Sequence, residues 1–103
     1  QINFANLFDT NTKITNASGL FAVYTSGRGL WIIESTLLNK AFNLNNISNM
    51  FYYNANMKGS VPTFTAATYP VLNNVTGYLT GCIEGNITNA GTLETRLIPT
   101  DWL

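Results

Sequence analysis

An eight-residue phrase occurs twice in this chain of 103 residues. Residues 44–51 read Leu-Asn-Asn-Ile-Ser-Asn-Met-Phe, and residues 72–79 read Leu-Asn-Asn-Val-Thr-Gly-Tyr-Leu. A shorter phrase at residues 14–20 is matched at residues 87–93. Self-similarity at such spacing is typical of repeating supersecondary units, which commonly build extended binding surfaces. The repeats therefore favour a binding or assembly role over a single catalytic pocket.

The low charge of the chain is unusual. Charged residues make up 10% of it, against roughly 25% in an average globular domain, and five basic residues balance five acidic ones. The polar surface is supplied instead by 15 Asn and 14 Thr. A sparsely charged surface with zero net charge promotes association. We therefore expect the chain to be part of a larger assembly and to be located outside the cell, on a cell surface or in a virion.

Several functional classes are excluded or disfavoured by composition. The chain has no His, so Ser-His-Asp and Cys-His catalysis cannot arise within it. No pair among its carboxylates stands out, and a single cysteine cannot form a Cys-based metal site. We predict a non-enzymatic protein without a metal or cofactor. The basic residues are scattered, which argues against a nucleic-acid partner, and no apolar run reaches the length of a membrane span; these basic residues are Lys13, Arg28, Lys40, Lys58 and Arg96.

The patterning predicts one domain over residues 1–103. It comprises a partial repeat at 7–24, full repeats at 44–64 and 72–93, and a C-terminal cap or linker at 94–103. The apolar run at residues 30–33 predicts a buried strand. Residues 37–42 predict a short helix capped by Ser35 or Thr36. Beyond the shared phrase, the sequences of the two full repeats align only after an adjustment of two residues. The alignment then places residues 85–87 opposite residues 59–61.

The repeats resemble the irregular leucine-rich repeats of bacterial surface proteins, the BspA-like family. Residues 7–10 (Leu-Phe-Asp-Thr) followed by residues 13–21 (Lys-Ile-Thr-Asn-Ala-Ser-Gly-Leu-Phe) are similar to the family phrase F-D-T-S-x-V-T-N-M-S-x-M-F. Residues 46–51 shorten that phrase, and residues 56–62 resemble the turn N-x-L-x-G-x-I-P. The resemblance implies a β-rich, repeat-type fold with short helical turns, a fragment of a leucine-rich-repeat-like solenoid. The alternative is a small all-β sandwich.

Asparagine and cysteine have two interpretations each. Asn-x-Ser/Thr triplets begin at Asn16, Asn46, Asn74 and Asn86. Within the repeat phrase, such Asn side chains are expected to support backbone turns; the alternative is that they accept glycans. Cys82 is expected to be a small buried hydrophobe, and pairing with a second chain is the alternative.

The aromatic residues divide into predicted core and predicted interface. Phe21, Phe42, Phe51 and Phe64 occupy repeat-like apolar positions and are predicted to be core. Amphipathic aromatic residues anchor protein interfaces or stack on sugars, and the candidates are Trp31, Tyr52, Tyr53, Tyr69, Tyr78 and Trp102. We therefore predict a recognition or adhesion module of a bacterial surface or phage-fibre protein that binds protein or glycan. The alternative is a structural subunit of a virion or filament that binds copies of itself.

Overall fold

A computed structural model describes residues 13–23 and 32–103 of the chain. Two short strands, β1 (Ile32–Ile33) and β2 (Lys58–Gly59), pair in parallel, with Ile32 opposite Lys58. Towards the C-terminus, the backbone forms four single-turn 3-10 helices at Glu84–Asn86, Ala90–Thr92, Thr95–Leu97 and Thr100–Trp102. The predicted strand at residues 30–33 is confirmed for the two residues that the structure describes.

The repeated phrases lie side by side in two columns of parallel bridges. In the first column Asn46 pairs with Asn16 on one side and with Asn74 on the other. In the second column Gly59 pairs with Ile33 and with Ile87. Both columns thus join residues 28 positions apart between the two full repeats, and the predicted two-residue adjustment is wrong. The phrase at residues 87–93 begins at Ile87, in the second column. This explains why it follows the phrase at residues 72–79 so closely in the sequence.

Three stretches of consecutive turns carry the first column, and we call them the first (16–23), second (46–53) and third (74–81) turn segments. Within the second segment, the amides of Met50 and Tyr52 donate to carbonyls three residues earlier, Ile47 and Asn49. Four amides on alternate residues donate outward to the third segment: Ile47 to Asn74, Asn49 to Thr76, Phe51 to Tyr78 and Tyr53 to Thr80, at 2.7–3.1 Å. This alternation gives every amide of residues 47–53 except that of Ser48 a backbone partner.

The first segment is bonded to the second by the same rule. Ala17, Gly19, Phe21 and Val23 donate to Asn46, Ser48, Met50 and Tyr52, at 2.8–3.0 Å. Each segment therefore presents donors towards its successor and acceptors towards its predecessor. The consequence is a one-way stack with two chemically different ends.

In one stretch of the chain, every third residue lies in the core. From Leu38 to Met50 the inward positions recur at intervals of three, and all of them are fully or almost fully buried: Leu38, Ala41, Leu44, Ile47 and Met50. Bonds between residues three apart, such as Ala41 to Leu38 and Leu44 to Ala41, produce this period. The predicted helix over residues 37–42 is wrong, because Leu38 has a left-handed backbone (φ 59°) that a right-handed helix cannot contain.

Aromatic rings form the centre of the core. The Phe51 ring lies between that of Phe21, 5.8 Å away, and that of Tyr78, 5.5 Å away. The Phe64 ring contacts Tyr78 at 5.6 Å. The predicted core positions of Phe51 and Phe64 are confirmed, and Phe21 is partly buried against the same core. Phe42 was predicted to be core, and this prediction is wrong: it is 46% exposed and lies between the inward positions Ala41 and Leu44.

No helix within residues 13–23 and 32–103 has the length and apolar character needed to cross a membrane.

Candidate binding surface

The asparagines of the first column support the turn segments with their side chains. The Oδ1 atoms of Asn16 and Asn46 accept hydrogen bonds from the amides two residues later, at 2.8 and 2.9 Å, and Asn74 makes the same contact at 3.4 Å. This contact with the residue two positions on is the Asx turn that asparagine favours. The predicted turn role is confirmed for these three. Asn86 differs: it lies in a 3-10 helix and its Nδ2 reaches the Ala55 carbonyl at 3.4 Å.

Two buried donors 28 residues apart connect the turn segments through their side chains. Asn54 Nδ2 donates to the Phe21 carbonyl at 2.8 Å, and Cys82 Sγ donates to the Phe51 carbonyl at 3.2 Å. Both carbonyls belong to the preceding segment. Cys82 is free and buried, as predicted, and burial raises the pKa of its thiol to about 11. A buried, protonated thiol is a poor candidate for pairing with a second chain.

An arginine and a glutamate from the C-terminal region bind the edge of the preceding turns. Arg96 donates to the carbonyls of Phe64 and Leu72 at 3.0 and 3.1 Å. Its Nε also contacts Glu94 Oε1 at 2.9 Å, and the other Glu94 oxygen accepts from the Ala66 amide. The Ala66 amide and then Arg96 hold the pKa of the Glu94 carboxyl below its ordinary value. These two charges therefore have structural partners and do not form a binding site.

Tyr52 and Tyr53 form an aromatic pair on the surface, which we call the tyrosine pair. Their rings meet edge to face with centroids 4.4 Å apart, and Tyr53 is 52% exposed. The Tyr53 ring lies where a side chain at residue 81 would otherwise stand: a Cβ placed on Gly81 would be 2.5 Å from Tyr53 Cδ1. Gly81 thus makes room for the ring, and the ring of Tyr52 supports it from the side.

The backbone of Tyr53 is held in an unusual conformation. Its φ of 56° lies in the left-handed region, which is strained for an aromatic residue. Gly81, 28 residues later, occupies the corresponding position with φ 85° and meets no such penalty. A bond from the Tyr53 amide to the Thr80 carbonyl at 2.7 Å holds this backbone in place. The stack therefore holds the backbone from which this exposed aromatic side chain projects.

Two of the other predicted interface residues, Tyr69 and Tyr78, do not lie at the surface. Tyr69 and Tyr78 are buried, so the prediction that they anchor a partner is corrected. Their hydroxyls donate to the carbonyls of Leu38 (3.0 Å) and Pro62 (2.6 Å), which makes burial of a phenol tolerable. Desolvation raises the pKa of both phenols. Trp102 packs partly against the core, and Trp31 lies outside the described residues.

Further apolar side chains are exposed, and none of them was predicted from the sequence to belong to an interface. They share large exposed fractions, between 39% and 73%: Leu20, Phe42, Val71, Ile83 and Leu103. Phe42 also contacts the Tyr69 ring, with centroids 6.2 Å apart.

The described part of the chain contains no cluster of three or more Cys, Asp or Glu side chains that could hold a metal ion. The comparisons with known proteins give no relative: no family model, no curated protein and no solved structure matches this chain.

Proposed function

We propose that this chain is a non-enzymatic recognition module, a fragment of a leucine-rich-repeat-like solenoid of the BspA-like type, which binds a protein or glycan through the tyrosine pair. The parallel columns, with their spacing of 28 residues between the full repeats, support the repeat-type fold over the sandwich alternative. A module of this kind acts at a cell surface, outside the cell or on a phage fibre.

The observation that carries the binding role is the fixed, exposed ring of Tyr53. A rigid aromatic side chain offers contact area to a partner with little further loss of conformational freedom on binding. A ring face also suits the apolar face of a sugar, and the phenol hydroxyl supplies a hydrogen bond at its edge. Asn86 is near this part of the chain: its Nδ2 donates a hydrogen bond to the carbonyl of Ala55, two residues after Tyr53. It adds an amide that can contact polar groups of the same ligand.

The test measures binding of the folded chain to an array of immobilised glycans and to whole bacterial and animal cells. Tyr53→Ala removes the exposed ring, and Phe42→Ala is the matched control, since it removes an exposed aromatic ring from another position. We expect the unaltered chain and Phe42→Ala to bind alike and Tyr53→Ala to lose at least about tenfold in affinity, in the range of an interface hot spot. Failure of the unaltered chain to bind both the glycan array and the cells contradicts the proposal. Unchanged binding by Tyr53→Ala contradicts it as well.

A structural role in a virion or filament is the second candidate. It is favoured by the zero net charge and by the exposed apolar side chains, which together make a surface suited to being covered. The two candidates differ in solution: a structural subunit associates with itself, whereas a recognition module remains active as a monomer.

A further inference from the structure

The Asn-x-Ser/Thr triplets of the chain differ in how far they are open to solvent. In two of them, at residues 16–18 and 74–76, both the asparagine and the hydroxyl residue are exposed. The residue between them lies on the inner side: Ala17 is buried, and Val75 packs, partly buried, against the core. One inward residue between two outward ones therefore presents the asparagine and the hydroxyl together on the outside of the molecule.

The side-chain nitrogens of these two asparagines are open to modification. The Oδ1 atom accepts a hydrogen bond from the amide of the hydroxyl residue, at 2.8 Å for Asn16 and 3.4 Å for Asn74. The turn thus uses the oxygen of the carboxamide. Within the described residues the Nδ2 atoms of Asn16 and Asn74 donate no hydrogen bond. A sugar attached to Nδ2 would therefore leave the turn in place.

The triplet in the middle of the first column is less open. Asn46 pairs with Asn16 on one side and with Asn74 on the other, and both Asn46 and Ser48 are only partly exposed. Paired strands lie about 4.8 Å apart, which leaves little room for sugars on neighbouring asparagines. Sugars on Asn16 and Asn74 alone would be separated by about twice that distance.

In the fourth triplet, the groups needed for modification are already bonded to the protein. Asn86 is partly exposed and lies in a 3-10 helix, and its Nδ2 donates to the Ala55 carbonyl at 3.4 Å. The hydroxyl of Thr88 is hydrogen-bonded to that of Ser60 at 2.7 Å. A sugar on Asn86 would disturb the contact with Ala55. The geometry therefore favours two of the four triplets.

The composition of the surface is an independent reason to expect a sugar. Charged residues make up 10% of the chain and their net charge is zero. Several large apolar side chains are exposed as well. Such a surface promotes association, whereas glycans on asparagine are bulky and solubilising. Attached sugars would supply the solvation that charge does not.

We propose that Asn16 and Asn74 carry N-linked glycans, which are transferred from a lipid-linked sugar diphosphate when the chain is exported. The Asn-x-Ser/Thr triplet is the acceptor signal for this transfer. A bond forms between Nδ2 and the anomeric carbon of the sugar, and the bond from that carbon to the diphosphate oxygen breaks. Nδ2 loses one proton, and the lipid diphosphate is the leaving group. This inference does not rest on the proposed recognition function.

Mass spectrometry of the protein purified from its natural source tests the proposal. Peptide N-glycosidase converts each glycosylated asparagine to aspartate as it releases the sugar, so peptide mapping identifies every modified position. We expect conversion at Asn16 and Asn74 and none at Asn46 or Asn86. Absence of sugar from Asn16 or from Asn74 overturns the proposal, as does conversion at all four positions.

Variants of the hydroxyl residues provide a second test. S18A and T76A each remove an acceptor signal but keep the backbone amide that the asparagine side chain binds. S48A is the matched control, because it removes the hydroxyl of the middle triplet. Each variant is secreted from cultured eukaryotic cells, and circular dichroism checks that it is folded. S18A and T76A should each lose one glycan by intact mass, and S48A should lose none. An unchanged glycan mass in folded S18A or T76A would overturn the proposal.

Discussion

At the scale of single residues, Asn54 and Cys82 show how one position of the repeat is used by two different side chains. Both are buried, and both donate to a carbonyl of the preceding turn segment. An amide N–H is a strong donor and a thiol a weak one. The requirement at this position is therefore a small side chain with a hydrogen to donate, and an apolar side chain of similar size does not meet it.

This requirement gives a prediction for Asn54. Replacing it by Leu leaves the Phe21 carbonyl without its side-chain donor and should lower the free energy of unfolding by about 1–3 kcal/mol. Asn54→Cys copies the residue found 28 positions later and should be less destabilising than Asn54→Leu. Urea denaturation with an unchanged m-value measures the difference. Equal stability of the two variants would show that hydrogen bonding at this position is unimportant.

Local patterns in the sequence predicted part of the candidate binding surface. The repeated Asn-Asn pair predicted turn support, because an asparagine side chain bonds to a backbone amide two residues away and needs no distant partner. Tyr69 and Tyr78 could not be assigned in this way. Their hydroxyls bond to Leu38 and Pro62, 31 and 16 residues distant. No local pattern reveals that such an acceptor exists, so an amphipathic side chain was interpreted as an exposed one.

At the scale of elements, the turn segments depend on left-handed residues at corresponding positions. Gly19, Asn49 and Gly77 form one such set, with φ between 54° and 75°, and Tyr53 and Gly81 form another. Glycine and asparagine adopt this conformation most readily. The repeated phrase predicted which segments would pair, but the helix expected at residues 37–42 did not form. Leu38 is almost fully buried and has a left-handed backbone, which propensity alone does not predict.

The third turn segment provides a matched pair of glycine substitutions. Gly81→Ala places a methyl group against the ring and backbone of Tyr53, at a residue with φ 85°. We expect it to lower the free energy of unfolding by about 1–3 kcal/mol. Gly91→Ala is the control, because no atom lies within 4 Å of a Cβ added there; its stability should be unchanged or raised by up to about 1 kcal/mol. Thermal unfolding of both variants compares them. A Gly81→Ala protein as stable as Gly91→Ala would contradict the described contact with Tyr53.

At the scale of the whole molecule, three turn segments form a stack in which the outward amides of the first and second segments are bonded to the next segment. The sequence predicted a repeat because the second and third segments share a phrase. It did not predict the direction of the hydrogen bonds, which depends on the alternation of local and outward donors. That alternation is a property of consecutive turns and has no signature in residue type.

Residue-resolved amide hydrogen exchange tests this central claim most directly. In dilute solution, we expect the amides of Ile47, Asn49, Phe51 and Tyr53 to exchange slowly, because each is bonded to the third turn segment. The corresponding amides of Val75, Gly77 and Gly81 should exchange faster, because none of them donates a hydrogen bond within the described residues. Equal exchange at the two sets of positions in dilute solution, or rapid exchange of the second segment, would contradict the one-way stack.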